Sequence, residues 1–573
     1  HNDGVIVTAA PDILLLRDFN GDGKADTRQV LYTGLGTGDT HAVINNPRWG
    51  VDGWIYATHG YSGSGNVTSG DGSLSFGSIG AGVVRFRPDG SMIEQVSSRG
   101  GNTWGLTLTP NNEVIWSKPT NGTICLHTLL SESQLNKAAL GKSGANIVIA
   151  SPKTFPQMTW TQKAYRQIDW VGSFTAAAGA AVYDGGAWPA KWDNSYFITE
   201  PTINIVHHSF LTPDGLSYTA AKEQGREETE FITSKDLWFR PIEVRVGPDG
   251  ALYVVDFYNQ AAVHNDTRGP DHNKVNAAVR PDRDHHFARL WRIMHREGKS
   301  HAVPQLTKAD NAAVAAALSH PAQHVRMNAL RLLIERKANP AAIATLLADT
   351  TKPGHQRVQA LWTLVRTQNL SEQQLVNAMA STDNALSSNA IRIYSEWKQP
   401  GVGIPGANAI GMTRWLSRRP GNANEIRISS ESEAPDRIAD TLLERLRSGN
   451  ARNRIDALLG LATLDPMPGR VVETVIALFP SLDNPFAQSA ASAVAMRDPV
   501  RSTLAALAAK ETDTLRPLIE AVVTKASGNP NNASALLIAL ADAPPSTGRS
   551  RAVSAIANAV LAAPKPEWSD QIR

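Results

Sequence analysis

The chain has 573 residues, with 56 Lys and Arg against 53 Asp and Glu, and a single cysteine, Cys125. That length calls for two or more domains, and balanced charge without a polybasic run excludes a nucleic-acid-binding surface. One cysteine excludes an internal disulfide framework, a Cys-based zinc site and a C-x-x-C-H haem attachment, and no apolar run reaches the roughly 18 residues of a membrane helix.

In chain order, the first distinctive stretch is "DFNGDGKAD". Asp18, Asn20 and Asp22 stand at positions 1, 3 and 5 of a calcium loop, Gly23 at the sharp turn, the Lys24 carbonyl at 7 and Asp26 at 9. Gln29 stands where an EF-hand has its bidentate Glu, and "DILLL" and "RQVLYTG" on either side read as strands. The expectation is a structural Ca²⁺ loop in a β-hairpin, with a polar turn as the alternative.

Up to about residue 300, short β-rich runs alternate with turns: "GWIYATHG", "GVVRFRPDGSMIEQV", "WGLTLTPNNEVIWSKP" and "IEVRVGPDGALYVVDFYN". "VDGWIYA", "PNNEVIWS" and "PDGALYVV" share one plan, a turn followed by a strand carrying Tyr or Trp. Such units recurring at about 50 residues predict the blades of a β-propeller, with a β-sandwich as the alternative.

After residue 300 the pattern is helical. "HVRMNALRLLIER", "HQRVQALWTLVRT" and "LSSNAIRIYSEW" align at Ala329-Leu330, Ala360-Leu361 and Ala390-Ile391. Each follows a shorter helix such as "NAAVAAAL". One such pair cannot bury its own apolar stripe, so the pairs are expected to stack as a HEAT-like solenoid over 301–573. A Pro/Gly/Asn/Ser-rich insertion interrupts it near 399–435.

Histidines gather in the first half. His41 and the His207–His208 pair are expected at strand ends and rank first as ligand-touching groups. The long segment after Tyr258 adds His264, Asp266, Asp271, His272, Asp284, His285 and His286, and a structureless stretch of about 30 residues is usually functional or disordered. No P-loop, G-x-S-x-G, helix-opening G-x-G-x-x-G or H-E-x-x-H occurs, which argues against nucleotide-dependent, α/β-hydrolase and zincin chemistry.

The strings "PDILLLRDFNGDGKADTRQVLYTGLGTGDTHAVINNPRWGVDGWIYATHG", "IDWVGSFTAAAGAAVYDGGAWP", "SYFITEPTINIVHHSF" and "DLWFRPIEVRVGPDGALYVVDFYN" resemble the membrane-bound dehydrogenase family of planctomycetes and verrucomicrobia. The resemblance implies a multidomain β + α chain: an N-terminal six-bladed β-propeller over 1–300, similar to soluble PQQ-dependent sugar dehydrogenases and incomplete at its N-terminus, then HEAT-like repeats. It implies quinone-dependent oxidation of a sugar or alcohol. His41 would take the hydroxyl proton and Arg48 or Arg240 polarise the quinone. His207, His208 and Asp256 are further catalytic candidates, and Asn102, Trp104, Tyr258 and His264 candidates for holding the cofactor. A cytochrome c would accept the electrons, haem c being possible only in a domain outside this chain. Gly101 stands where those sugar dehydrogenases carry an Arg, while Asn102 keeps their Asn.

The starting residue His1 leads to the expectation of a processed, exported or periplasmic protein. Two alternatives stay open. One is a non-catalytic scaffold that binds a glycan or a protein partner; the other is a Ca²⁺-dependent hydrolase or lactonase using Asp256 and Glu200.

Overall fold

The computed structural model describes residues 4–39, 41–98, 100–132, 134, 146–157, 173–259, 286–397, 434–509 and 514–562. Among them, antiparallel sheets fill the chain up to Ile293 and helices follow from Asn311.

Five sheets follow one another. The first holds β1 (Gly4–Ala9), β2 (Asp12–Arg17) and β3 (Thr27–Leu35), extended by the hairpin β6 (Ser64–Ser69) and β7 (Ser75–Ser78). The second holds β4 (Asn45–Trp49), β5 (Ile55–His59), β8 (Gly82–Phe86) and β9 (Ile93–Ser97). The β6–β7 hairpin leaves this second sheet and pairs with β3, Tyr32 opposite Ser69, so the two sheets are tied together by backbone. The third is β10 (Leu106–Leu108), β11 (Val114–Lys118), β12 (Thr123–Thr128) and β13 (Asn146–Ala150). The fourth is β14 (Ala180–Val182), β15 (Ser195–Glu200), β16 (Ile205–Asp214) and β17 (Ser217–Ala221), with β18 (Ile232–Thr233) against β16. The fifth is β19 (Pro241–Val246), β20 (Leu252–Asp256) and β21 (Arg289–Ile293).

Consecutive sheets bury their faces against each other. Leu31 and Tyr32 pack with Ile55 and Phe86, Trp54 and Tyr56 with Leu106 and Trp116, Ile115 and Ile124 with Tyr196 and Ile198, and Phe197 and Val206 with Val244 and Val254. The first strands of the last four sheets are neighbours in chain order, β4 beside β10, β10 beside β14 and β14 beside β19. Among the described residues no closed barrel forms, and they hold five sheets where six blades were expected.

The shared turn plan has a physical basis. Asp52 accepts from Trp54 N–H and, at 2.7 Å, from the Tyr56 hydroxyl; Asp249 repeats this with Ala251 N–H and the Tyr253 hydroxyl. Gly53 and Gly250, at φ +78° and +80°, supply the positive φ that lets the strand double back. The Tyr on each second strand therefore latches the turn that precedes it.

Fourteen α-helices are described. The first four are α1 (Asn311–Ala316), α2 (Gln323–Glu335), α3 (Ala341–Ala348) and α4 (Gly354–Arg366). They belong to the same compact unit as the sheets, which comprises 1–132, 143–370 and 403–423. They rest on the strand-connecting turns: Arg326 of α2 pairs with Asp184, Pro321 fills the space beside Gly186, and Arg366 of α4 reaches the Val51 carbonyl. The second unit, 133–142, 371–402 and 424–573, carries α5 (Glu372–Met379), α6 (Asn384–Trp397), α7 (Ala434–Ser448), α8 (Ala451–Leu461), α9 (Gly469–Leu478), α10 (Pro485–Ala495), α11 (Pro499–Ala508), α12 (Arg516–Ala526), α13 (Pro530–Ala541) and α14 (Thr547–Ala562).

Within it, helices pack on their sequence neighbours and on the next but one, α6 on α8 and α8 on α10 for example. The repeat positions are buried in each unit taken by itself, Ala329, Leu330, Ala360 and Leu361 in the first and Ala390 and Ile391 in the second. Most of the expected insertion near 399–435 lies outside the described residues.

Candidate functional site

The second strand of each of the last four sheets ends on a titratable residue. β5 ends at His59, β11 at Lys118, β15 at Glu200 and β20 at Asp256. In β5 and β15 these ends are opposite the connections at Val51 and Asp184 that α4 and α2 touch, and this edge of the sheets is the rim.

His59 is buried, and its Nδ1–H donates to the Gly60 carbonyl at 2.8 Å. That fixes Nε2 as the bare nitrogen, and it finds no partner among the described residues; burial lowers the ring's pKa. The Asn102 Oδ1 beside Gly60 and the Thr103 Oγ1 are also buried without a hydrogen bond. Lys118 lies along Gly101, half-buried, its pKa lowered by desolvation. Trp104 anchors this loop through its carbonyl, which accepts from the Thr58 hydroxyl at 2.6 Å and Asn46 Nδ2 at 2.9 Å.

His41 stands beside Asp39. The carboxylate is buried; its Oδ1 accepts the His41 backbone N–H at 2.8 Å and lies 3.6 Å from His41 Nδ1, while the Tyr61 hydroxyl donates to Oδ2. The His41 side chain is 39% exposed. At 3.6 Å, Nδ1 lies just beyond hydrogen-bond reach of the carboxylate and in charge contact with it.

Arg48 points inward from β4. Nε donates to the Leu106 carbonyl at 3.1 Å, Nη1 to Pro47, and Nη2 to Asn46 Oδ1 at 2.9 Å and Glu243 Oε2 at 3.4 Å. Glu243 also pairs with Arg245 at 3.1 Å. Residues of β4, β10 and β19 thus meet at one point, and a Cβ on Gly179, just before β14, would collide with Glu243.

Other candidates are set elsewhere by the structure. Arg240 is fully buried and bolts chain segments together, donating to the Pro201 and Asn259 carbonyls and to Asn204 Oδ1; it has no free reach toward a cofactor. His207 and His208 do not end a strand but lie inside β16. His207 is sealed between Glu230 at 2.8 Å and Ser209 at 3.1 Å. His208 is packed among Trp192, Phe197 and Phe210. Asp256 and Glu200 are saturated by their own chain. Asp256 accepts from Arg240 N–H, Tyr258 N–H, Arg289 Nε and Trp291 Nε1, and Glu200 from Thr175 N–H, Ala176 N–H and Thr202. Neither carboxylate is poised to bind a metal or a water, and burial raises the pKa of Glu200. Tyr258 lies under the Arg289 guanidinium, 3.6 Å from its ring centre. His264 lies outside the described residues.

In the Asp18 loop, Asp18 accepts Gly21 and Gly23 N–H, Asn20 Oδ1 accepts Asp22 N–H, Asp22 accepts Lys24 N–H, and Asp26 accepts Phe19 and Asn20 N–H. Among the described residues no three His, Cys, Asp or Glu side chains gather as a metal site. Asp39, Tyr61, Glu243 and Arg245 were not singled out from sequence. Only the recurrence of a charged residue at second-strand ends could have pointed to the rim.

His208 gives a pH prediction. Desolvation, and then the charges of His207 and Lys222, push its pKa down from 6.5 to about 3. The unfolded ring binds its proton first as pH falls, so the stability from the neutral ring is complete above about 6.5 and is lost toward 3. The first unit should lose about 1.4 kcal/mol per pH unit below 6.5 from this group. Urea titrations of wild type and His208→Leu at pH 7 and pH 5 check it, the variant showing the smaller drop.

Residues 1–297, more than half of the chain, match the family described as Domain of unknown function (DUF7133). The chain belongs to the DUF7133 family. The DUF7133 region ends just after β21, so it contains every sheet and the whole rim. No curated protein matches the chain. Crystal structures of two engineered proteins from the Northeast Structural Genomics Consortium are 16% and 13% identical to it. They cover 44% and 45% of this chain and 98% and 100% of their own, with TM-scores of 0.20 and 0.21; at those scores they carry no argument about this DUF7133 member.

Proposed function

We propose that the rim around His41 acts on a hydroxyl-bearing substrate, an alcohol or a sugar, with His41 as the general base. The observation that carries this is the buried Asp39 carboxylate set between the His41 ring and the Tyr61 hydroxyl. Asp39 orients the imidazole and stabilises the imidazolium formed when the substrate hydroxyl gives up its proton; Tyr61 holds the second carboxylate oxygen in place. Lys118 offers a further polar contact on the same rim, while His59 Nε2, Asn102 Oδ1 and Thr103 Oγ1 are buried.

Proton removal is one half of dehydrogenation, the expected reaction class. The quinone that the resemblance implies does not fit the described residues. Gly101 replaces an Arg, Arg240 is engaged by its own chain, and among the described residues no metal-ligand group gathers to polarise a quinone carbonyl. No step is therefore derived through a quinone. Those same observations favour a second reading, in which the rim binds a glycan or protein without turnover.

The five sheets read as blades of a β-propeller, because successive sheets share buried faces and their first strands are neighbours in order. The stacked helix pairs read as a HEAT-like solenoid suited to a protein partner such as a cytochrome c. Export to the periplasm is part of the same reading.

Dye-linked oxidation over a broad alcohol and sugar panel, with the dye or cytochrome c as the electron acceptor and PQQ with Ca²⁺ added only in a parallel arm, tests the reaction class. Turnover is expected; silence across the panel would overturn it, and sugar binding without turnover would select the second reading. A structural Ca²⁺ in the Asp18 loop would rest on Asp18, Asn20, Asp22, the Lys24 carbonyl and Asp26. It predicts that chelator lowers the melting temperature of the first unit and that Ca²⁺ restores it; an unchanged melt would contradict a structural Ca²⁺ in this loop.

A further inference from the structure

We propose that the point where the first strands meet is a binding site for a small oxyanion group, a carboxylate or phosphate on a diffusible ligand, held between Arg48 and Arg245. The inference goes beyond the hydroxyl chemistry at His41 and does not depend on it.

Charge is the first argument. Two guanidiniums share one carboxylate oxygen, Glu243 Oε2, at 3.4 and 3.1 Å. The side chains of Arg48, Glu243 and Arg245 are 13%, 23% and 41% exposed. One carboxylate cannot balance two cations, and partial burial weakens the solvent screening that would otherwise mask the surplus. Desolvation, then the like charge of Arg245, lowers the Arg48 pKa to about 9, with Glu243 opposing both; burial also lowers that of Arg245. A bound anion would relieve both guanidiniums.

Donor supply is the second. Arg48 already gives Nε–H, one Nη1–H and its Nη2 hydrogens to Leu106, Pro47, Asn46 and Glu243, which holds its guanidinium rigid. Arg245 has Glu243 as its one acceptor shown among the described residues, so most of its planar fork remains available. A rigid cation beside a partly exposed fork suits the two oxygens of a carboxylate or phosphate.

Placement is the third. Gly179 carries no side chain where β14 passes Glu243, and any Cβ there would displace the carboxylate. Glu243 is thus kept as an internal counter-ion that a ligand oxyanion competes with, which gives the test a sign.

The test is calorimetric titration of the full chain with inorganic phosphate and with glucuronate, using glucose as the neutral control. Saturable binding of at least one anion is expected, weakening with salt. The tighter of the two anions identifies the source of the group. Arg245→Gln should weaken it about tenfold, as the loss of a charge-assisted hydrogen bond does, while Glu243→Gln should tighten it several-fold. Arg245 is partly exposed, so its variant should keep the wild-type near-UV spectrum. Absence of saturable binding by either anion overturns the proposal, as does binding that both variants leave unchanged. Glucose heats and dye reduction unaffected by Arg245→Gln would leave the His41 reading standing whichever way the anion result falls.

Discussion

Arg326→Ala should destabilise the first unit by about 3–5 kcal/mol, the cost typical of removing one partner from a buried ion pair. Arg326 is almost fully buried, and its guanidinium serves three acceptors at once. Nη1 donates to the His320 carbonyl at 2.9 Å and to the Pro321 carbonyl, and Nη2 pairs with Asp184. Gln323 N–H donates to the Asp184 carbonyl and His301 Nε2 to the Gly185 carbonyl, so this one spot fastens α2 to the turn after β14. Truncation strands the carboxylate and two carbonyls together.

Desolvation already raises the Asp184 pKa to about 6 against the pull of Arg326. A raised folded pKa on an acid means that the folded state binds the proton more tightly, so this group's contribution grows as pH falls from about 6 toward 3.8, opposite in sign to His208. Without Arg326 the carboxyl rises further, and the variant should lose least at acidic pH. Urea unfolding of wild type, Arg326→Ala, Asp184→Leu and the double variant measures this. The double should cost clearly less than the sum of the singles, because no charge is left unpaired.

The second large effect is catalytic. His41→Gln should lower the turnover of whichever hydroxyl substrate reduces the dye by about a hundredfold or more, the range for removing a general base. Substrate affinity should change little, since Gln keeps a polar side chain of similar reach. Asp39→Asn should lower turnover less and also shift the pH profile, because it alters the basicity of a ring still present. A change in KM alone would assign His41 to binding.

The fold was legible where local chemistry repeats. Asp52-Gly53 and Asp249-Gly250 announce their turns, and the Tyr four residues after each Asp is the latch that makes the pattern recur. In the helical part, Ala329-Leu330, Ala360-Leu361 and Ala390-Ile391 mark the buried face of each long helix, because apolar residues at that place in the repeat must leave water. What depends on distant contacts was hidden. Glu243 meets Arg48 across 195 positions, and no local pattern distinguishes it from a solvated strand residue.

His207 and His208 were misplaced for a related reason. "NIVHHSF" has apolar residues on both sides of the pair, which fits a strand end and a buried strand centre equally well. β16 settles it by extending ten residues, through Asp214. Arg240 was read from its place before β19, whereas its role comes from carbonyls supplied by the loops after Glu200 and Tyr258. At His41, the residue was legible and its partners were not, since Tyr61 joins Asp39 only after β4 and β5 have folded between them.

The most direct check of the central claim is nitrogen-15 NMR of the histidine side chains in the full chain, titrated with a sugar or alcohol that reduces the dye. Comparison with His41→Gln identifies the His41 imidazole among the 15 histidines. That ring, beside Asp39, should move on saturation while His207 and His208 stay still. A ligand that saturates the protein and leaves the His41 signals where they were would contradict it.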